Sequence, residues 1–126
     1  MKIDFNSLTP VYIQIATAIE DDIISGLLSE GGAAYSQLII ARELNVNPAT
    51  AAKGINLLVN KGVLEKQRGT AMMVAQGALA RLLSERKETG VNELIQDLVS
   101  TAIKIGLSED EVIEKVKHHF KQREGE

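Results

Sequence analysis

The sequence predicts a mainly α-helical protein with a small β-hairpin wing: a winged helix-turn-helix followed by a C-terminal αα-hairpin. Three observations predict it. Apolar residues recur at helical spacing through most of the chain. Val46-Asn47-Pro48-Ala49-Thr50-Ala51-Ala52-Lys53 reads as the start of a short helix whose first turn is small and polar. Downstream, Gln67-Arg68-Gly69-Thr70 reads as the tip of a small basic hairpin. A helix that offers its N-terminal turn beside a cationic hairpin is an arrangement suited to duplex DNA.

The elements follow in order. Thr9-Pro10 is a helix start, with Thr as N-cap and Pro at N1. Val11, Ile15, Ile19 and Ile23, with Tyr12 and Ala16, then fall on one helical face, and Ser25-Gly26 closes it. Residues 27–34 form a loop or short strand. Ser36 caps a second helix from Gln37 to Leu44, with Leu38, Ile40, Ala41 and Leu44 available for burial. Asn45-Val46 makes a tight turn. Asn47 caps the third helix, 48–61, with Pro48 at N1 and an inner face of Ala51, Ile55, Leu58 and Val59. Two short strands, 63–67 and 71–74, flank Arg68-Gly69-Thr70 as the wing.

The composition shifts after Gln76-Gly77, which sets the expected division into 1–76 (DNA-binding domain) and 77–126 (dimerisation region). Residues 78–105 carry Leu79, Leu82, Leu83, Leu94, Leu98, Ala102 and Ile105 at helical spacing. Gly90 interrupts that pattern, as a close helix crossing, a bend or a break. Ser108-Glu109-Asp110-Glu111 is a capping box that starts a last helix lined by Val112, Val116 and Phe120, with a frayed end at 122–126. Two amphipathic helices cannot bury their apolar faces on each other alone. They pack either on the DNA-binding domain, as a helical cap on a monomer, or on a second copy; a homodimer is the economical expectation, with Leu83, Gly90, Leu94, Leu98, Val112, Val116 and Phe120 at its interface. Paired units would match a pseudo-palindromic operator.

Bulk properties narrow the function. The chain has 126 residues, 44% hydrophobic and 25% charged, which suits an ordered globular protein. Aromatics are 3%, so the core is aliphatic. There is no Cys, which excludes disulfides and thiolate metal sites. No signal-like apolar run opens the sequence and none approaches the ~20 residues a bilayer needs, so a cytoplasmic protein is expected. Net charge is −3, yet the window 36–70 holds Arg42, Lys53, Lys61, Lys66 and Arg68 against Glu43 and Glu65, a local excess of +3. No nucleophile–base constellation or phosphate-cradling loop points to an enzyme, and no cofactor is implied. Glu114 and His118 lie one turn apart, but such a pair is more often a solvated helix face than a metal site.

The residues carry a resemblance. Pro10-Val11-Tyr12-Ile13-Gln14-Ile15, Ile23-Ile24-Ser25-Gly26, Ala41-Arg42-Glu43-Leu44-Asn45-Val46-Asn47-Pro48-Ala49-Thr50, Lys61-Gly62-Val63-Leu64 and Arg68-Gly69 together resemble the GntR family of transcriptional regulators, in its small YtrA-type branch. Gly106-Leu107 before the last helix fits that branch as well. The resemblance implies a homodimeric repressor without a large ligand-binding domain, often of an operon encoding an ABC transporter and the regulator itself. Two departures stand out. Tyr35 and Leu38 occupy positions where the family usually has Pro and a DNA-contacting Arg, and Ala71 replaces the second wing Gly.

The expected DNA contacts are Ser36, Gln37, Asn47, Pro48, Ala49, Thr50, Lys53, Arg68 and Gly69. The exposed first turn of the third helix, through its dipole and N–H groups, favours a phosphate. Thr50 can donate to a phosphate or base edge, and Lys53 can reach guanine or the backbone. Ser36 and Gln37 stand at the start of the second helix, where the family contacts phosphate. Arg68 and Gly69 place the wing along a minor groove. The competing reading is a protein-interaction module that has lost DNA affinity, for which Leu38, Ala71 and the net acidity speak.

Overall fold

The computed structural model describes residues 1–69 and 72–125. They form α1 (Val11–Ile24), α2 (Gln37–Leu44), α3 (Pro48–Asn60), β1 (Leu64–Lys66), β2 (Met72–Val74), α4 (Ala78–Glu85), a π-helical turn (Arg86–Gly90), α5 (Val91–Ile105) and α6 (Glu109–Glu124). These residues gather into two compact units, Met1–Ser84 and Glu85–Glu126. The division falls later than the composition shift because Ala78 and Leu82 of α4 are buried with the first unit's core.

Helix α1 begins one residue later than the sequence suggests. Pro10 has ψ 144°, an extended value, so it takes the cap position rather than the first helical one. Its carbonyl accepts the N–H groups of Ile13 and Gln14 at 3.1 and 3.2 Å. Thr9 does not cap. Its N–H donates to Ser7 Oγ, and its carbonyl accepts the Gln14 side-chain amide. Ile15, Ile19 and Ile23 are buried at one-turn spacing, as the period requires. Ile40 and Ala41 of α2, and Ala51, Ile55 and Leu58 of α3, meet them. Leu38 departs from expectation: it is 68% exposed, because it sits in the first turn of α2 on the side away from Ile40 and Ala41.

Within the first unit α1 and α3 lie backbone to backbone at Gly54. A Cβ added there would stand 2.8 Å from the Tyr12 carbonyl oxygen and 3.1 Å from Ile15 Cγ2. Only a residue without a side chain lets the two backbones come this near. Further along the same pair, Lys61 Nζ reaches Glu20 Oε2 at 2.8 Å, and Glu20 is only 7% exposed. A carboxylate this buried needs a cation beside it.

The hairpin pairs β1 and β2 antiparallel, with Leu64 opposite Val74 and Lys66 opposite Met72. The 27–34 segment adds a third edge through a bridge between Ala33 and Met73, supported by Ala34 N–H to Met72 O at 2.8 Å and Val74 N–H to Gly32 O at 3.0 Å. Val63, Leu64 and Val74 root the hairpin in the core. Glu30 accepts the Gly77 N–H and ties this segment to the start of α4. Tyr35, just before α2, donates its hydroxyl to Asp22 Oδ2 of α1 at 2.7 Å. That hydrogen bond, with burial and the nearby Asp22 charge, pushes the Tyr35 phenol from 10.0 up to about 12.

The 78–105 helical pattern is carried by α4 and, in the second unit, by the π turn and α5 in succession, with right-handed helical dihedrals at Glu85, Gly90 and Val91. The π turn carries Gly90, the weakest helix former in that stretch, and α5 follows it. Helix α5 ends at Gly106 in the left-handed conformation (φ 80°), with Leu107 N–H donating to Ala102 O at 2.9 Å. Both bonds of the Ser108–Glu111 capping box form, at 3.2 and 3.1 Å. The Ser108 backbone N–H, and then its side chain, hold the Glu111 carboxyl below its ordinary 4.5. Helix α6 runs to Glu124, past the point where fraying was expected. Ala102 is the one buried residue among those described in this unit, and no helix of the described residues is long and apolar enough to cross a membrane.

Two outcomes are expected from this packing. Gly54→Ala gains about 1 kcal/mol of helix propensity but forces α1 and α3 apart, for a net loss of about 1–3 kcal/mol in urea unfolding. Tyr35 has a native pKa above its unfolded value, so its contribution to stability is complete below pH 10.0 and is lost as pH rises towards about 12. A tyrosinate absorbance titration of the native protein should show one phenol ionising near pH 12, and Tyr35→Phe should remove that step.

Candidate nucleic-acid interface

The surface around the start of α3 is built from caps. Asn45 adopts the left-handed conformation (φ 53°), which an Asn tolerates, and turns the chain from α2 into α3. Asn47 Oδ1 accepts the Ala49 N–H at 2.8 Å, and Ser36 Oγ accepts the Ile39 N–H at 3.2 Å. Gln37 Nε2 donates to the Pro48 carbonyl at 3.1 Å, joining the starts of α2 and α3. This local accounting narrows what the first turn of α3 can offer. Pro48 has no N–H, and the Ala49 N–H is taken by Asn47, so the helix dipole and the Thr50 side chain carry more of any anion contact there.

The outward face of α3 is a row of residues three and four apart: Ala49, Ala52, Lys53, Asn56 and Asn60. Lys53 does not extend freely. Its ammonium lies 4.2 Å from the centre of the Tyr12 ring of α1, a cation–π contact that holds the charge at this face. Tyr12, Ala49, Lys53 and Asn60 line one shallow groove beside α3. On its other side lies a cleft of about 470 Å³ between the start of α2, the middle of α3 and the hairpin, lined among others by Ser36, Gln37, Leu38, Asn56, Lys66 and Gly69. Gly69 has φ +88° with nothing within 4 Å of where a Cβ would be, so the backbone at the hairpin end stays open to close approach. Lys66 and Arg68 are exposed beside it. Ala71 and Thr70 lie outside the described residues.

Ser36, Gln37, Lys66 and Gly69 thus share one cleft. Ala49 and Lys53 line the groove on the other side of α3, Pro48 is tied to Gln37 through its carbonyl, Asn47 caps the helix, and Thr50 is half-buried. Two participants escape sequence reading, and a third is marked only through the family resemblance. Tyr12 pins Lys53 only because α1 and α3 touch. Asn56 is exposed on the outward face of α3, which its spacing of seven from Ala49 and four from Ala52 could have revealed. Leu38 has an apolar side chain that periodicity alone assigns to a core. Lys61, by contrast, faces Glu20 rather than this surface.

The second unit presents a different kind of surface. Of the residues expected at an interface between copies, Leu94 is 70% exposed, Leu98 41%, Val116 40% and Phe120 66%. Val91, Ile95, Ile103 and Ile113 add to them. Gly90 and Val112 are half-buried, and Leu83 is exposed on α4 of the first unit. Leu98, Leu107, Val112, Val116, Phe120 and the stem of Lys115 line an open groove between α5 and α6 of about 480 Å³. His118 and His119 stand edge to face, ring centres 6.0 Å apart, and no group of three or more metal-ligating side chains occurs among the described residues.

No protein-family model matches the chain. Individual proteins do. It is 27% identical over 117 residues, 93% of its length and 89% of theirs, to the HTH-type transcriptional repressor YtrA of Bacillus subtilis. A solved structure of a GntR-family transcriptional regulator from Bacteroides thetaiotaomicron is 34% identical, covering 90% of this chain and 98% of that one, with a TM-score of 0.67. BusR of S. agalactiae, solved in complex with its busA-promotor DNA, is 25% identical over 86% of this chain and 56% of its own, with a TM-score of 0.52.

Proposed function

This chain belongs to the GntR family of transcriptional regulators; it is a DNA-binding regulator, not an enzyme, and on that premise we propose that it acts as a homodimeric repressor of its own operon. In this reading α3 enters the major groove, the hairpin follows the adjacent minor groove, and Ser36, Gln37, Asn47, Pro48, Ala49, Thr50, Lys53, Arg68 and Gly69 make the contacts. The observation that carries it is the outward row of α3. Its small alanines leave the helix free to approach base edges, while Lys53 is fixed beside them, Lys66 lines the cleft and Arg68 is exposed next to Gly69. BusR, which shares the fold, was solved on promoter DNA.

Pairing of two copies through the second unit is supported by the amount of apolar surface on α5 and α6. Folded monomers rarely expose such a continuous patch. Charge adds a direction. Glu109, Asp110, Glu111 and Glu114 occupy the first part of α6, and Lys115, Lys117, Lys121 and Arg123, with Glu124 at the very end, the remainder. Two such helices laid antiparallel across a two-fold axis bring each acidic part against the other's basic part, with Val112, Val116 and Phe120 between them. Residues 1–76 then serve as the DNA-binding domain and 77–126 as the dimerisation region.

Fluorescence anisotropy against the DNA upstream of its own gene, with random duplex as competitor and two salt concentrations, tests the reading. Competitor-resistant binding that weakens with salt is expected. Lys53→Ala or Arg68→Ala should each lower the salt slope by about two units in a dimer, one cation per copy. Unchanged slopes in both variants would discard this docking mode. In sedimentation, the wild type should run at twice the 13.7 kDa chain mass. Leu94→Glu combined with Leu98→Glu should give a helical monomer with operator affinity reduced at least tenfold. A monomeric wild type would end the pairing.

A further inference from the structure

The cleft beside α3 has an unusual lining for a surface that meets a polyanion. Leu38 projects into it 68% exposed, and Met72 and Ala52 continue the apolar wall. An exposed Leu in the first turn of a helix is not held there by packing, and no core need explains it. Opposite stands Asn56, exposed on the outward row of α3. Nothing in the described residues hydrogen-bonds its carboxamide, whereas Ser36 Oγ already accepts its cap bond and Gln37 already donates to the Pro48 carbonyl. The cleft therefore offers one free carboxamide, one free apolar tip and, at its rim, the Lys66 cation.

Those three groups match a specific piece of a DNA major groove. A carboxamide is the side chain that pairs in bidentate fashion with adenine N6 and N7, and an apolar tip is what the thymine C5 methyl group accepts. Guanine prefers a guanidinium or ammonium at O6 and N7, and among the described lining residues only Lys66, on the hairpin, carries one. We propose that this cleft reads an A·T-containing step of each operator half-site, Asn56 taking the adenine and Leu38 packing on a thymine methyl, while Lys66 holds the neighbouring phosphate. The proposal rests on the reading of α3 as the helix that enters the major groove. It assigns specificity to two residues, and affinity to the cations around them.

The test uses the full chain and modified DNA, so that no variant has to fold for it to be decisive. A preferred duplex is first selected from a randomised library. Each thymine of its half-site is then replaced by deoxyuridine, which removes only the methyl, and each adenine by 7-deazaadenine, which removes only the N7 acceptor. The wild type should lose about three- to fourfold in affinity at one thymine and on the order of tenfold at one nearby adenine. Leu38→Ala should lose the discrimination against deoxyuridine and keep that against 7-deazaadenine; Asn56→Ala should do the reverse. Tight, salt-dependent operator binding that is indifferent to every such replacement would overturn the proposal and leave the DNA-binding reading standing. Discrimination that persists unchanged in both variants would overturn it equally. Selection of no sequence at all would overturn both.

Discussion

Everything in the first unit follows from how near α1 and α3 lie at Gly54. The missing Cβ allows the α3 backbone to rest against the Tyr12 carbonyl and the Ile15 side chain, and that contact fixes where each helix's outer surface ends up. Because Tyr12 is brought to the edge of α3, its ring can hold the Lys53 ammonium at 4.2 Å. Because the helices stay together to the end of α3, Lys61 reaches the nearly buried Glu20. A helix that supplies none of the proposed DNA contacts thus sets the position of a cation among them, through Tyr12 at the edge of the groove beside α3. The fold behaves as a strut: α1 carries no functional group of its own in this reading, yet the geometry of the row Ala49, Ala52, Lys53, Asn56 depends on it.

The second constraint is hydrogen-bond accounting at helix starts. Ser36, Asn47 and Ser108 each accept a backbone N–H two or three residues on, and Asn45 supplies the one left-handed non-glycine residue among those described, at the turn between α2 and α3. These caps set the angle at which α3 is presented, and the Gln37–Pro48 bond locks it to α2. They also consume donors. A first turn that begins Asn-Pro satisfies itself, so its N–H groups are less available to a phosphate than the bare terminus of a helix would be. The recognition surface has to draw on side chains further along α3 and on the hairpin.

What could be read from the sequence divides along the same line. Local signals were legible: the Ile15, Ile19, Ile23 period, the Asn47-Pro48 start, the Ser108–Glu111 capping box and Gly106 each depend on neighbours a turn away. The hairpin was legible because Gly69 separates two apolar runs. Pairings across the fold were not. Nothing near Glu20 announces Lys61, nothing near Tyr35 announces Asp22, and the helical period that places Ile40 inside offers no reason for Leu38 to be outside. Thr9 failed as a cap because the Pro10 ψ angle, rather than the identity of the residue before it, decides where α1 begins. On the proposed site, the residues named from pattern were the ones with known chemical handles at a helix start or a turn. Asn56 was missed because it gains meaning only when α2, α3 and the hairpin close around one cleft; Leu38 was marked through the family resemblance, as a replaced Arg, and not through its own periodicity.

The net charge of −3 now has a more exact meaning. Of the five cations in the window 36–70, Lys61 is committed to Glu20, and Arg42 belongs to the last turn of α2, at the opposite end of that helix from the cleft. That leaves Lys53, Lys66 and Arg68 for phosphates. Each phosphate neutralised contributes to affinity through released counterions, so three cations make a weak, salt-sensitive contact. Two copies double the number, and the exposed apolar faces of α5 and α6, with their opposed charges along α6, are the means of bringing two copies together. Few cations also place more of the discrimination on groups that read bases instead of backbone. A carboxamide and an apolar tip in one cleft are suited to that, and the acidic balance of the rest of the chain limits how firmly it holds DNA that lacks the right step.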